Sequence, residues 1–403
     1  MGRRLAAVLA ASVLAVACTS ADSGSPPGGD GNPPDRTPPP ADKESPPPTK
    51  PGDVDPPAPA EPAVAFVGRF AIDGDTRTFG WPNTRILARF EGTGVSATLA
   101  ETNLYAGPSE LDLRVDDKVQ VLKLKEGEHV YELAKDLPAG EHVVELIRRV
   151  EGQVGVTKFK GFDFGGGKLL APPKPRTRKI EFLGDSNTTG YGVEGKGPNC
   201  PFSASTQNVT KTYAAKVADA FDADALVIAY SGKGVVQNND RNDPIVFEDL
   251  FTRATPESAT PAWDFTKAPA PDAVLINLGS NDYAQPRAGV VDPPAFGAFK
   301  EKFAKLVSAV RAQYAAAPIF VIVSPTQNDW YPVGFDAHTN QKRAFTEVVA
   351  ARKTGGDDKV HFIDLPVLTD DAERDGCDYH PGVKIHDRMA TTLIAEIKKV
   401  TGW

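Results

Sequence analysis

The sequence predicts two folded parts, a β-sandwich followed by a three-layer α/β unit with a parallel sheet. Three observations carry this. Short segments between residues 63 and 170 alternate apolar and polar residues with period two. From residue 171 to 403, apolar runs alternate with helix-length amphipathic segments. A chain of 403 residues also exceeds what one hydrophobic core usually supports.

The leading segment stands apart from both. Met1-Gly2-Arg3-Arg4 precedes an apolar run from Leu5 to Ala17, too short to span a bilayer as an ordinary helix and flanked as a signal peptide is. Its ending, Leu14-Ala15-Val16-Ala17-Cys18, has the form of a bacterial lipobox in which Cys18 is lipidated, although Ala15 replaces the preferred Leu, Val or Ile. Residues 1–18 are therefore expected to direct export, to a lipid-anchored place in the cell envelope or to the medium. Residues 19–62 are dominated by Pro, Gly, Asp, Lys and Ser. They lack the apolar surface needed to fold and read as a tether, with Pro38-Pro39-Pro40 and Pro46-Pro47-Pro48 favouring extended polyproline geometry.

Within residues 63–170, strands are expected at Ile86 to Phe90, Val95 to Leu99, Leu111 to Val115, Val119 to Leu124 and His142 to Leu146. Turn signals at Glu91-Gly92-Thr93-Gly94, Asp116-Asp117 and Pro138-Ala139-Gly140 separate them. Pro172-Pro173-Lys174-Pro175 marks the boundary. In the second part strands are read at Lys179 to Leu183, Ala225 to Ala229, Ala273 to Leu278, Ile319 to Val323 and Val360 to Ile363. Helices are read near Thr210 to Phe221, Ala295 to Ala315, Gln341 to Lys353 and Val383 to Val400. Sheets of this kind bind ligands at the carboxyl ends of their strands.

Chemistry-bearing residues stand at those ends. Ser186 follows the first strand in Gly184-Asp185-Ser186, a turn that exposes the hydroxyl but alone reads as structural. The next strands end in Ser231-Gly232-Lys233-Gly234 and Leu278-Gly279-Ser280-Asn281-Asp282, where backbone and Asn amides can converge on an oxyanion. Gly376-Cys377-Asp378-Tyr379-His380-Pro381 supplies a late histidine, which Pro381 biases toward extended geometry. In an extended segment the Asp378 carboxylate is a neighbour of His380 and could orient it, as could a backbone carbonyl. His129, His142, His361 and His338 show no metal-site spacing. With Cys18 set aside, Cys200 and Cys377 are the remaining cysteines. In an oxidising compartment they are expected to form a disulfide that restrains the His380 loop.

These four blocks together resemble the SGNH, or GDSL, hydrolase superfamily. The resemblance implies a flavodoxin-like three-layer hydrolase domain, a nucleophilic Ser186 whose own amide joins the oxyanion hole, an oxyanion glycine (Gly234 preferred over Gly232), an oxyanion Asn281 and the base His380. The usual pattern places Asp three residues before the His, where this chain has Cys377; its Asp378 stands two before. That Asp-aromatic-His-Pro variant is similar to carbohydrate esterase family two, as are the Ser-Gly-Lys-Gly block, Trp263-Asp264-Phe265 leading into the third strand, and a preceding sandwich. This second resemblance implies an N-terminal jelly-roll, deacetylation of polysaccharides such as xylan and glucomannan, and a Ser-His dyad in some members. It also implies sugar contacts by Tyr379, with Trp330 as a second aromatic platform.

The expectation is a monomeric serine esterase that takes acetyl groups from acetylated polysaccharide through an acetyl-enzyme on Ser186, with no metal or organic cofactor implied. A formal net charge of −8 argues against nucleic acid as partner, and membrane contact is expected only through the lipid anchor. A non-catalytic carbohydrate-binding surface lipoprotein, or a lipase or peptidoglycan O-acetyl esterase, are the alternatives.

Overall fold

The structure, a computed structural model, describes residues 61–370 and 373–403. The expected leader, Cys18 and residues 19–60 of the expected tether lie outside the described residues.

The first part is an antiparallel sandwich of β1 (Ala65–Val67), β2 (Ala71–Asp73), β3 (Thr76–Phe79), β4 (Arg85–Gly92), β5 (Val95–Asn103), β6 (Glu110–Val115), β7 (Lys118–Lys123), β8 (Gly127–Ala134), β9 (Gly140–Arg148), β10 (Gly155–Asp163) and β11 (Lys168–Leu169). One sheet has the order β1-β4-β9-β6-β7 with β11 beside β4, the other β2-β3-β10-β5-β8. Alternation decides which residues point inward. Ile86, Ala88 and Phe90 of β4 meet Val95, Ala97 and Leu99 of β5, joined by Phe79, Leu113, Leu146 and Phe159.

The second part holds a five-stranded parallel sheet of β12 (Arg178–Gly184), β13 (Ala223–Ala229), β16 (Ala273–Asn277), β17 (Ile319–Val323) and β18 (Val360–Asp364), with β14 (Arg253–Thr255) and β15 (Ser258–Ala262) forming a separate hairpin. The strand order β13-β12-β16-β17-β18 is the flavodoxin-like 2-1-3-4-5. Its helices are α1 (Ser186–Thr189), α2 (Tyr213–Ala220), α3 (Phe247–Phe251), α4 (Ser280–Tyr283), α5 (Phe296–Gln313), α6 (Ala337–Thr354) and α7 (Val383–Thr401). On one face of the sheet, Phe299, Phe303 and Val307 of α5 pack with Ala344, Phe345 and Val348 of α6. On the other, Ala214 and Val217 of α2 pack with Ile385, Met389, Leu393 and Ile397 of α7, spaced every four residues as a one-sided helix requires.

Two expected helices differ in extent. The one read from Thr210 starts at Tyr213, because Thr212 is extended and its hydroxyl donates to the Val209 carbonyl at 2.8 Å. The one read from Gln341 starts at Ala337, which places His338 in the first turn of α6.

The two parts meet along a polar seam. Arg69 pairs with Glu181 of β12 at 2.8 Å, both almost wholly buried, and the guanidinium also donates to the Phe251 carbonyl. The Trp81 indole N–H donates to the Ala254 carbonyl at 3.1 Å and the Asn83 amide to the Ala225 carbonyl at 2.9 Å.

Candidate active site

In-register pairing gathers the site. Gly184 of β12 sits level with Ala229 of β13 and Asn277 of β16, so the loops after these three strands leave the sheet side by side. α1 begins at Ser186 with Asp185 as its cap, whose carboxylate accepts the Asn187 N–H at 3.0 Å. As the first helical residue, Ser186 has an amide N–H that no helical carbonyl can meet. Burial pushes the Asp185 carboxyl up to about 6, opposed by hydrogen bonds from Asn187 and Ser280.

Nε2 of His380 lies 2.9 Å from Ser186 Oγ. On its other side Nδ1 lies 2.8 Å from the backbone carbonyl of Asp378, which assigns the proton of Nδ1 to that carbonyl and leaves Nε2 free to accept. His380 is extended, in keeping with Pro381, but the register expected to bring the Asp378 carboxylate to the ring does not form. Asp378 and Tyr379 are both left-handed, with φ of 53° and 58°. The resulting turn directs the Asp378 carboxylate to the Tyr191 hydroxyl at 3.2 Å and its carbonyl to the histidine. Tyr191, which no sequence motif flagged, packs its ring 4.2 Å from the imidazole. Burial, aided by the nearby Arg374 cation, lowers the pKa of His380 below 6.5 against the pull of Asp378.

The glycine preference also changes. The Gly234 N–H donates to Asn238 Oδ1 at 3.0 Å, so it is not free for an oxyanion. A Cβ at Gly234 would lie 2.0 Å from the Gln237 carbonyl oxygen, which explains glycine there by packing. Gly232 has φ of 81°, no atom closer than 3.9 Å to a built Cβ, and an amide with no hydrogen-bond partner among the described residues. The Asn281 side-chain amide, on α4, donates to the Lys233 carbonyl at 2.9 Å; its second contact, to Asp185, is a long 3.4 Å. Asp282 then anchors the glycine loop, its carboxylate accepting the N–H groups of Val235, Val236 and Gln237 at 2.9, 2.7 and 3.1 Å.

Cys200 and Cys377 are joined as a disulfide. Around it, the Cys377 N–H donates to Gly192, the Asp378 N–H to Cys200 and the Tyr379 N–H to Pro198, which laces the histidine loop to residues 190–200. Tyr379 is half exposed with its hydroxyl on Asn199 Oδ1 at 3.1 Å. Trp330 is half exposed in the loop after β17. His386 takes no part in the loop: buried on α7, it accepts the Tyr213 N–H at 3.2 Å.

This geometry has counterparts. The model of the carbohydrate esterase 2 N-terminal family matches residues 66–173, and that of the GDSL-like lipase/acylhydrolase family matches residues 182–388. A solved family two carbohydrate esterase from Clostridium thermocellum, in complex with cellohexaose, is 33% identical with a TM-score of 0.76, and the match covers 85% of this chain and 100% of that one. The chain belongs to carbohydrate esterase family two. Family relatives include the cellulase/esterase CelE of Acetivibrio thermocellus, 34% identical over 353 residues. That match takes in 87% of this chain but spans only 41% of CelE. An acetylxylan esterase/glucomannan deacetylase of Cellvibrio japonicus is 28% identical over 336 residues, 81% of this chain and 86% of its own length.

Proposed function

We propose that this family two member is a serine esterase that removes O-acetyl groups from polysaccharides of the xylan and glucomannan type. The observation that carries it is the Ser186–His380 contact of 2.9 Å, with Nδ1 held on a backbone carbonyl. His380 takes the Ser186 proton as the hydroxyl attacks the ester carbonyl, and the tetrahedral oxyanion is met by the amides of Ser186 and Gly232 and the side chain of Asn281. Each such donor typically lowers the barrier by about 3 kcal/mol. Collapse breaks the ester bond, His380 protonates the departing sugar oxygen, and an acetyl-Ser186 remains. Water, deprotonated by His380, then attacks the acetyl carbonyl; the bond to Ser186 Oγ breaks, acetate leaves and His380 returns the proton to Ser186.

The names of the relatives support the substrate class. Half-exposed Tyr379 beside the histidine supports a sugar platform there, with Trp330 as a second. The disulfide supports work in an oxidising, extracytoplasmic compartment.

The test is acetate release from acetylated xylan and glucomannan, set against peptidoglycan and long-chain esters. Acetylated plant glycans are expected to be preferred. Ser186→Ala is expected to lower kcat by about a thousandfold or more; undiminished p-nitrophenyl acetate hydrolysis by that variant would overturn the proposal.

A further inference from the structure

A carboxylate from the β-sandwich lies beneath the oxyanion loop. Glu151, three residues beyond β9, is fully buried. Its Oε2 accepts the Ser231 N–H at 2.6 Å and its Oε1 the Ser231 hydroxyl at 2.5 Å. Gln207 donates from one side-chain amide to Glu151 Oε1 at 2.7 Å and to Thr189 Oγ1 at 2.9 Å, and accepts the Glu151 N–H at 3.2 Å. Thr189 Oγ1 closes the ring, 3.2 Å from Ser231 Oγ. The ring thus ties the residue before Gly232 to α1, three residues after Ser186.

Gly232 needs this support. Its backbone is left-handed, with φ of 81°, and the nearest atom to a built Cβ is Asn239 Cβ at 3.9 Å, so beyond the bond from the Asn239 N–H to its carbonyl at 2.7 Å, its place depends largely on its chain neighbours. The group beneath must also accept three donors at once, which suits a carboxylate and not an amide. Burial raises the pKa of Glu151 and these hydrogen bonds oppose it, a cost that mere filling of space does not require.

We infer that Glu151 is a positioning residue of the esterase site: by gripping Ser231 it sets the Gly232 amide against Ser186 for the oxyanion, making the sandwich part of the catalytic apparatus. This rests on the esterase reading above.

The experiment compares full-length wild type, Glu151→Gln, Ser231→Ala and Ser186→Ala in p-nitrophenyl acetate hydrolysis across pH, with thermal melting as the fold control. Glu151→Gln is expected to lower kcat about 10- to 100-fold with KM little changed. The acid limb of kcat/KM should stay in place, because His380 is untouched. Ser231→Ala, which removes one of the two donors that Ser231 gives to Glu151, should lower kcat by a smaller factor. A folded Glu151→Gln with wild-type kcat, or one whose loss lies in KM or in a shifted acid limb, overturns the inference. If Glu151→Gln does not fold, Ser231→Ala decides, and an unchanged kcat there overturns it. Activity surviving in Ser186→Ala overturns the esterase reading itself, whereas a silent Ser186→Ala beside unaffected Glu151→Gln and Ser231→Ala removes only the role of Glu151.

Discussion

Asp378 divides its work between two atoms. Its carbonyl holds the histidine tautomer, while its carboxylate holds the Tyr191 hydroxyl, whose ring covers the imidazole. Asn tolerates the left-handed backbone at this position and retains an oxygen for Tyr191, so Asp378→Asn is expected to change kcat by less than about threefold. A carboxylate acting directly on the histidine is worth about 10⁴ in kcat, and steady-state kinetics separate the two cases. The protonation of His380 gives a second expectation. Neutral imidazole is the active form and burial lowers its pKa, so kcat/KM should fall as pH drops through a midpoint below 6.5. Removing the negative charge at Asp378 takes away a group that favours the imidazolium, so the acid limb of Asp378→Asn should move to still lower pH. A limb that moves upward, or sits above 6.5 in the wild type, contradicts this account.

At the level of elements, the loop after β13 is shaped by Asp282 more than by its own sequence. Three backbone N–H groups converge on that carboxylate, and burial pushes it up to about 6. An amide cannot accept all three, so Asp282→Asn is expected to destabilise the chain by about 1.5–3 kcal/mol and to lower kcat. Denaturant unfolding alongside kinetics checks both. The sequence shows the parallel strands plainly, because β16 and β17 are apolar runs buried on both faces, β13 is nearly so, and β12 keeps Ile180, Phe182 and Leu183 inside. Strands β8 and β10 escape it, as do the shorter β1, β2, β3, β11, β14 and β15. In β8 Val130 is exposed on the same face as Glu128 and Glu132, while His129 and Tyr131 turn partly inward, so hydrophobicity points the wrong way. In β10 a bulge between Phe159 and Gly161 breaks the period of two. The order Ser186, Asn281 and His380 is legible because strand-end residues follow the chain; the choice of Gly232 over Gly234 is not, since it turns on which amide is already bonded. Tyr191 and Glu151 are not, since their roles depend on ring packing and on a contact between distant segments.

Across the whole molecule, the seam makes the sandwich and the α/β unit depend on one another. Arg69 is almost wholly buried against Glu181, and its guanidinium also lies over the rings of Phe251, Trp263 and Phe265. Removing one partner of such a pair leaves a buried charge uncompensated. Arg69→Ala is therefore expected to destabilise by about 3–5 kcal/mol, seen as a lower Tm with both parts still melting together; two separated transitions or an unchanged Tm would contradict it. The bond between Cys200 and Cys377, 177 residues apart, has a consequence for biogenesis. Synthesis proceeds from the N-terminus, and domains form as they emerge. The oxidative closure must wait for Cys377, and His380 follows it by three residues. The covalent closure and the arrival of His380 beside Ser186 therefore belong to the same late stage of biogenesis.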